Sequence, residues 1–372
     1  MAVTIYLDHA SATPLLPAAR AAMMPWLERS ADPARVHSAG REARAAVESA
    51  RDQVGERLGV RPRDVIFTAS ATEALNWVVY AAAGLTPKSR GPWGRRIVVT
   101  AVEHTAVLDA ARLAAAKAGL EVVEVGVGPD GTVAPFDVPP DTALVACQHV
   151  NHETGVVQPI EATAERCAAA GVRLLVDACQ SVGMAVPQAD FVVVSGRKLG
   201  GPAGTGALGL GWRVRIDPLL VGGEQELLRR AGGEDVAGIV GLGAACATSF
   251  PDHITDLRDR LAAGLEAVDG VEVLGLGARR APQIVCCTAA PLGGEALLIG
   301  LDRAGIMANS GSSCAAERLE PSHVLRAMGA DADSSLRFGL GWDTTPADVD
   351  AVLETLPSLV AALRRLRERS GA

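Results

Sequence analysis

Residues 190–210 read DFVVVSGRKLGGPAGTGALGL: four apolar β-formers, then Ser195, Gly196, Arg197 and Lys198, then a glycine-rich turn and a second apolar run. A lysine at the end of a buried strand is costly to desolvate. Its position has three readings: an exposed loop amine, a phosphate ligand, or an amine that condenses with a carbonyl cofactor. The phosphate reading is weakened because the chain has no G-x-x-x-x-G-K-[ST] loop. The carbonyl reading needs company: a carboxylate to face a pyridinium nitrogen, an imidazole or aromatic ring to stack on the cofactor, and donors for a phosphate. Asp177, His104, and Ala71–Thr72 with Ser195 are of the right types. The loop reading is the plainest for this stretch alone, so the rest of the chain has to decide.

The elements that would position these groups are legible as apolar runs. Strands are expected at Val65–Thr68, Arg96–Thr100, Glu121–Val125, Ala143–Gln148, Arg173–Asp177, Phe191–Ser195 and Gly206–Leu210. Helical spacing marks Arg41–Leu58, the run ATEALNWVVYAAAG from Ala71, Ala106–Ala118 and Ala162–Ala170. Strands alternating with helices predict an α/β fold with a mostly parallel sheet covered on both faces. In such sheets ligands bind beyond the carboxyl ends of the strands. Just past those ends stand Ser70, Thr72 and Glu73; Glu103 and His104; His149, Asn151 and His152; Asp177 and Gln180; and Ser195, Arg197 and Lys198. Any one polar end reads equally well as an ordinary loop; five converging ends are harder to dismiss. After about Phe250 the texture changes. Helices are expected at Asp256–Val268 and Asp348–Leu366, with short apolar runs between, so a smaller α+β C-terminal domain is expected from about residue 251 to 372.

Composition excludes several functions. At 372 residues the chain has room for two or three domains. It is 49% hydrophobic and carries a net charge of −8, a poor basis for non-specific nucleic-acid binding. An anionic small molecule could still bind at a local Arg/Lys cluster. The seven cysteines are odd in number and form no C-x-x-C pair, which argues against a disulfide framework or structural zinc and for a reducing compartment. The start, MAVTIYLDHASATP, shows no signal-peptide pattern, and no apolar run reaches the roughly 18 residues a membrane helix needs. A cytoplasmic protein without membrane or nucleic-acid partners is expected. Cys147, His149 and His152 offer a competing reading as metal ligands, but residues 147 and 149 share one strand face and no fourth ligand is evident.

The chain also resembles a known family. VDACQSVG at Val176 and SGRKLGGPAGTGAL at Ser195 resemble the cofactor segments of cysteine desulfurases, pyridoxal-phosphate enzymes of the class V aminotransferase group. YLDHASATP, HSAGREAR, FTASATEALN, TAVEHTAVL, HVNHETGVVQPI, SGSSCAAERLEPSHVLRAMG and SLRFGLGWDTT extend the similarity in order along nearly the whole chain. The resemblance implies the fold type I of pyridoxal-phosphate transferases: residues 1–14 packing near the small domain, a large cofactor domain over 15–250, and a small domain over 251–372 carrying a cysteine loop. It implies that Lys198 forms the Schiff base with pyridoxal phosphate and shuttles protons. It implies that Asp177 faces the pyridinium nitrogen, Gln180 the phenolic oxygen and His104 the ring. Ala71, Thr72 and Ser195 become the phosphate cradle, helped by a helix N-terminus. Asn151 and Arg337 become neighbours of the substrate carboxylate, Arg337 as a bidentate clamp.

Cys314 matches the persulfide cysteine, set in the small, polar stretch SGSSCAAERLEPS. The implied reaction turns L-cysteine into L-alanine and passes sulfur through Cys314 to an acceptor protein. That acceptor could serve iron–sulfur cluster assembly, tRNA thiolation or thio-metabolite synthesis. A homodimer is also implied. Several neighbours of the catalytic set depart from the family pattern. Arg197 stands for the usual His, and Gly233 for a Thr that reaches the partner's phosphate. His152 stands for an Asn, Leu227–Leu228 for Arg-Gly, Trp342 for an Arg, and Ala34–Arg35 for a Ser pair. The altered surroundings leave room for a selenocysteine or cysteine-sulfinate lyase, or for a weakly catalytic homologue acting as a partner in a sulfur-transfer complex.

Overall fold

The computed structural model describes residues 4–29, 31–310 and 321–370. In chain order the elements are β1 (Ile5–Tyr6), α1 (Pro17–Leu27), α2 (Ser38–Leu58), β2 (Val65–Thr68), α3 (Ala71–Ala82), β3 (Arg96–Thr100), α4 (Thr105–Ala118), β4 (Glu121–Val125), β5 (Thr142–Ala146), α5 (Ile160–Ala170), β6 (Leu174–Asp177), β7 (Phe191–Ser195) and β8 (Gly206–Leu210). There follow α6 (Gln225–Leu228), α7 (Val236–Ala247), α8 (His253–Glu266), β9 (Glu272–Val273), β10 (Ile284–Thr288), α9 (Gly294–Arg303), β11 (Ile306–Met307), α10 (His323–Met328), β12 (Ser335–Gly339) and α11 (Pro346–Ser370).

Seven strands form one sheet in the order β2-β8-β7-β6-β5-β3-β4. Only β8 runs antiparallel to its neighbours; the remaining pairs are parallel. The reversal follows from the connection, because the short glycine-rich turn after β7 is too brief for a crossover. Alternate residues feed two cores. Ile97, Val99, Leu144, Leu175, Phe191 and Val193 face α3 and α4. Val98, Val145, Val176 and Val192 face α2, α5 and α7. Helix α2 shows why it covers a face: Val47, Ala50, Val54 and Leu58 are buried at three- and four-residue spacing. It ends at Gly59, which takes the left-handed conformation at φ 65°.

The C-terminal third packs a separate core. Strand β10 pairs antiparallel with β9 and β12. Residues of α8, α9 and α11 close over that sheet, with Leu257, Leu261, Leu297, Leu301, Val352 and Leu356 buried. The start of the chain belongs to the same packing: β1 pairs in parallel with β11, Asp8 bridges to Gly339, and Leu7 lies in this core.

Most expected strands and helices stand within a few residues of their expected ends. The expected strand at Ala143–Gln148 stops at Ala146, because the Gln148 N–H turns away to donate to Glu103 Oε1 at 2.7 Å. Helices α1 and α7 were not anticipated. The first carries Pro25 in its interior. The second is glycine-rich and apolar all round, so it lacks a polar stripe. Its glycines have a packing reason: a Cβ at Gly243 would lie 2.7 Å from the Ala50 Cα on α2.

Candidate active site

A cavity of about 680 Å³ opens beyond the carboxyl ends of β6 and β7, at the N-termini of α3 and α4. This volume suits a cofactor-sized ligand. Ala71, Thr72, His104, Asp177, Gln180, Ser195, Arg197, Lys198 and Arg337 all line it. Asn151 does not line it, and Cys314 lies outside the described residues.

Lys198 sits in the single turn that follows β7. Its Nζ donates to the carbonyl oxygens of Ala10 and Ser11, the latter at 2.8 Å. The N-terminal segment grips the same turn through Thr13, whose N–H donates to Arg197 O at 2.8 Å. Asp177 ends β6, buried, and its Oδ1 accepts from the Cys179 N–H at 2.9 Å. Gln180 Nε2 donates to Ala10 O at 2.7 Å, so lysine and glutamine share one carbonyl. A second cavity, of about 360 Å³, meets the first at Lys198 and Gln180 and is lined by His9, Arg57, Cys246 and Trp342 among others.

The N-terminus of α3 is capped by Ser70 and Glu73, much as in a capping box but with the glutamate reaching the N–H one residue before the cap. Ser70 Oγ accepts from Glu73 N at 3.1 Å, and Glu73 Oε2 accepts from Ala69 N at 2.9 Å. Arg230 holds Glu73 from outside at 2.5 Å. Strand β8 passes directly beneath. A Cβ at Gly206 would lie 2.7 Å from the Ser70 carbonyl carbon and 2.8 Å from Ala71 N, so only glycine allows this approach. The result is a pocket of N–H groups and hydroxyls, with Arg197 exposed at its edge, suited to a phosphate. Ser70 and Thr205 also line it.

His104 caps α4 through Nδ1, which accepts from Ala106 N at 3.0 Å. Its ring proton is therefore on Nε2. Burial, together with the positive potential of His152, Lys198 and His323, brings its pKa down to about 4, against a smaller opposing pull from Asp177. It is neutral at pH 7. Glu103, beside it and fully buried, is pushed up to about 8 by burial and holds a proton.

The two residues expected at the substrate end are both engaged within the chain. The Asn151 side chain is consumed by its own turn: Oδ1 accepts from Glu153 N at 2.9 Å and Thr154 N at 2.8 Å, and Nδ2 donates to Val102 O at 3.2 Å. Its neighbour His152 lines the cavity instead. Arg337 is present, but its fork is already engaged. Nη2 donates to Asp8 Oδ1 at 2.9 Å and Ser11 Oγ at 2.5 Å, and Nη1 donates to His152 O at 3.0 Å. The metal reading fails on geometry. Cys147 is in the core, His149 Nδ1 pairs with Ser181 Oγ at 2.7 Å, and no group of three or more His, Cys, Asp or Glu could hold a metal ion among the described residues.

An amine, a buried carboxylate, a neutral imidazole and an anion cradle thus face one cavity. This donor set fits a cofactor bearing an aldehyde, a basic ring nitrogen and a phosphate. Comparison with known proteins agrees with that chemistry. The family described as aminotransferase class-V matches residues 5–352. "Cysteine desulfurase 2" of Trichormus variabilis is 38% identical, across 97% of this chain and 94% of that protein. "Cysteine desulfurase IscS" of Dictyoglomus turgidum is 34% identical, across 97% and 96%. Among solved structures, a NifS-like protein superposes with a TM-score of 0.87 at 28% identity, covering 97% of this chain and all (100%) of that one. "SspA in complex with cysteine" superposes with a TM-score of 0.80 at 26% identity, covering 92% and 100%. With both sequence and structure matched over nearly its full length, the chain belongs to the class-V aminotransferase family, in the group of the cysteine desulfurases.

Proposed function

We propose that this chain is a pyridoxal-phosphate-dependent cysteine desulfurase that converts L-cysteine to L-alanine and carries the sulfur as a persulfide on Cys314. The observation that carries the reading is the convergence of Lys198, Asp177 and His104 on one cavity beside the α3 N-terminus. The similarity to named cysteine desulfurases, and to a structure holding cysteine, supports it.

When bound, the cofactor supplies an electron sink for the bonding pair released at the substrate α-carbon. Asp177 would face the ring nitrogen and hold a proton there. Ser70, Ala71, Thr72, Ser195 and Thr205, with Arg197 at the edge, would hold the phosphate. Lys198 Nζ is placed to take the α-proton and to return a proton to carbon. His104 presents Nε2–H to the cavity and exchanges that proton with the substrate sulfur. A thiolate at Cys314 attacks that sulfur, the carbon–sulfur bond breaks, and its electron pair stays on the β-carbon, which gains a proton. One cysteine and one thiol give one alanine and one persulfide, so no outside oxidant is needed. Of the described residues on either side of positions 311–320, Asn309 lines the cavity and Ser322 Oγ donates to Glu153, which follows His152 in sequence.

The same proposal includes a sulfur-acceptor protein and a homodimer. The homodimer is supported by an exposed apolar cluster around α6: Leu220, Val221, Leu227 and Leu228 are 42–67% exposed.

Replacing the lysine tests the assignment directly. Lys198→Ala is expected to lose both the visible absorbance of the bound cofactor and all turnover of L-cysteine. Retention of turnover would remove Lys198 from the mechanism.

A further inference from the structure

The second cavity takes no part in the chemistry assigned to the first. It measures about 360 Å³, and of its lining residues only Lys198 and Gln180 also line the first. Among the described residues no Asp or Glu lines it, whereas the cations Arg57 and Lys198 do. Arg57 is half-buried and has no ion-pair partner among the described residues; its one hydrogen bond runs from Nη2 to the Ser181 carbonyl. Burial lowers its pKa, with the Cys246 thiol opposing that pull, but a guanidinium stays charged all the same. A cation held in a cavity wall without a counter-charge is a seat for a carboxylate. Gln283 supplies the second recognition group. It lines the same cavity at 2% exposure. Its Nε2 donates to the Gln180 carbonyl at 2.8 Å, and its Oε1 has no partner. A buried acceptor left unpaired costs about 1–3 kcal/mol, so a ligand with a donor is favoured there.

The rest of the wall completes the pattern. Leu16, Phe250, Leu340 and Trp342 are apolar. The carboxyl end of α7, at residues 245–247, lines the cavity as well and favours a donor on its side. One other orphan, His9 Nδ1, is shut away, because a Cβ on Gly341 would strike it. We propose that the second cavity is a binding site for a small carboxylate that also carries an N–H donor and an apolar group. The carboxylate pairs with Arg57, the N–H donates to Gln283 Oε1, and the apolar group lies among the four apolar side chains. Arg57 and Gln283 bond consecutive carbonyls, those of Ser181 and Gln180, so both brace one turn from behind. The front of that turn carries Asp177 and Gln180, and the Gln180 side chain shares the Ala10 carbonyl with Lys198. A ligand held by Arg57 and Gln283 therefore sits one hydrogen bond behind the residues that line the first cavity.

The test is calorimetric titration of the holoenzyme with N-acetyl-L-phenylalanine, whose blocked amine cannot condense with an aldehyde. Binding is expected, and Arg57→Met should weaken it about tenfold or more, the value of a hydrogen bond to a charged group. N-acetyl-L-phenylalaninamide, which lacks the carboxylate, should bind the parent chain about tenfold more weakly or worse. 3-Phenylpropionate, which lacks the N–H, should lose about threefold or more. A crystal of the holoenzyme soaked with N-acetyl-L-phenylalanine should show it on Arg57 and Gln283. No binding at millimolar concentration, equal binding of the acid and its amide, or density on Arg197 or Arg337 in the first cavity would overturn the proposal. The ligand series and the crystal use the parent chain, so they decide even where Arg57→Met fails to fold. None of these measurements needs turnover of L-cysteine, so a failure of the desulfurase reading would leave this site standing.

Discussion

At the residue scale, the chemistry turns on which thiol can be a nucleophile. Six of the seven cysteines are among the described residues, and burial pushes every one of their thiols up: Cys167 to about 11, Cys246 and Cys287 to about 12, and Cys147, Cys179 and Cys286 well above the ordinary value. A thiol so raised is a poor nucleophile at neutral pH. Cys179 is the one of these that lines the cavity, and Asp177 beside it disfavours its thiolate further. Cys314→Ser should therefore keep the cofactor absorbance and bind L-cysteine but release no sulfide, while Cys179→Ser should turn over like the parent; a sulfide assay on both variants reads the difference. Lys198 and Asp177 were legible in the sequence because each ends an apolar run that aims it out of a parallel sheet. The choice between Asn151 and His152 was not. Both stand in one polar turn, and only the fold shows which lines the cavity. A signal existed: an Asn followed two and three residues later by free N–H groups in a turn tends to bond them itself, as Asn151 does with Glu153 and Thr154.

At the scale of elements, α2 is tied to α6 by a buried ion pair. Glu226, Leu227 and Leu228 stand consecutively at φ 50°, 59° and 65°, a left-handed run that non-glycine residues rarely adopt. The strain is held by the Glu226 carboxylate. Arg51 donates to it twice, at 2.8 and 2.9 Å, and Phe67 N donates at 3.0 Å, binding α6 to both α2 and β2. Both side chains are nearly fully buried. Arg51→Met is expected to cost about 3–5 kcal/mol, because it leaves Glu226 buried and unpaired; urea unfolding would show the drop, and a loss under 1 kcal/mol would count against the account. The strands of the large sheet could be read from their continuous apolar runs, each buried on both faces. Helix α6 and its ion pair could not, because partners 175 positions apart leave no local pattern. Helix α7 escaped for a related reason: its glycines serve contacts with α1 and α2, and they erase the polar stripe that marks a surface helix.

At the scale of the whole molecule, the same left-handed turn pushes Leu227 and Leu228 outward, at 67% and 61% exposed, next to Leu220 and Val221. In the proposed homodimer a second copy of the chain would cover them. Leu227→Glu combined with Leu228→Glu should then give a monomer in analytical ultracentrifugation, where the parent chain is expected to be a dimer, while the circular dichroism spectrum is kept; a dimer surviving both charges would move the proposed interface elsewhere. No helix among the described residues is long and apolar enough to cross a membrane. Residues 4–14 tie the molecule together. They pair with β11, contact β12, and supply Asp8, Ala10 and Ser11 to Arg337, Gln180 and Lys198. Sequence reading expected this segment to pack near the C-terminal part, but its carbonyl grip on the lysine needs the three-dimensional fold to be seen. The most direct test of the account is the product balance from L-cysteine, with pyridoxal phosphate and a reductant present. Alanine and sulfide released in equal amounts are the expected result. No alanine from a protein that holds the cofactor would contradict it, and selenocysteine and cysteine sulfinate would then be the substrates to try.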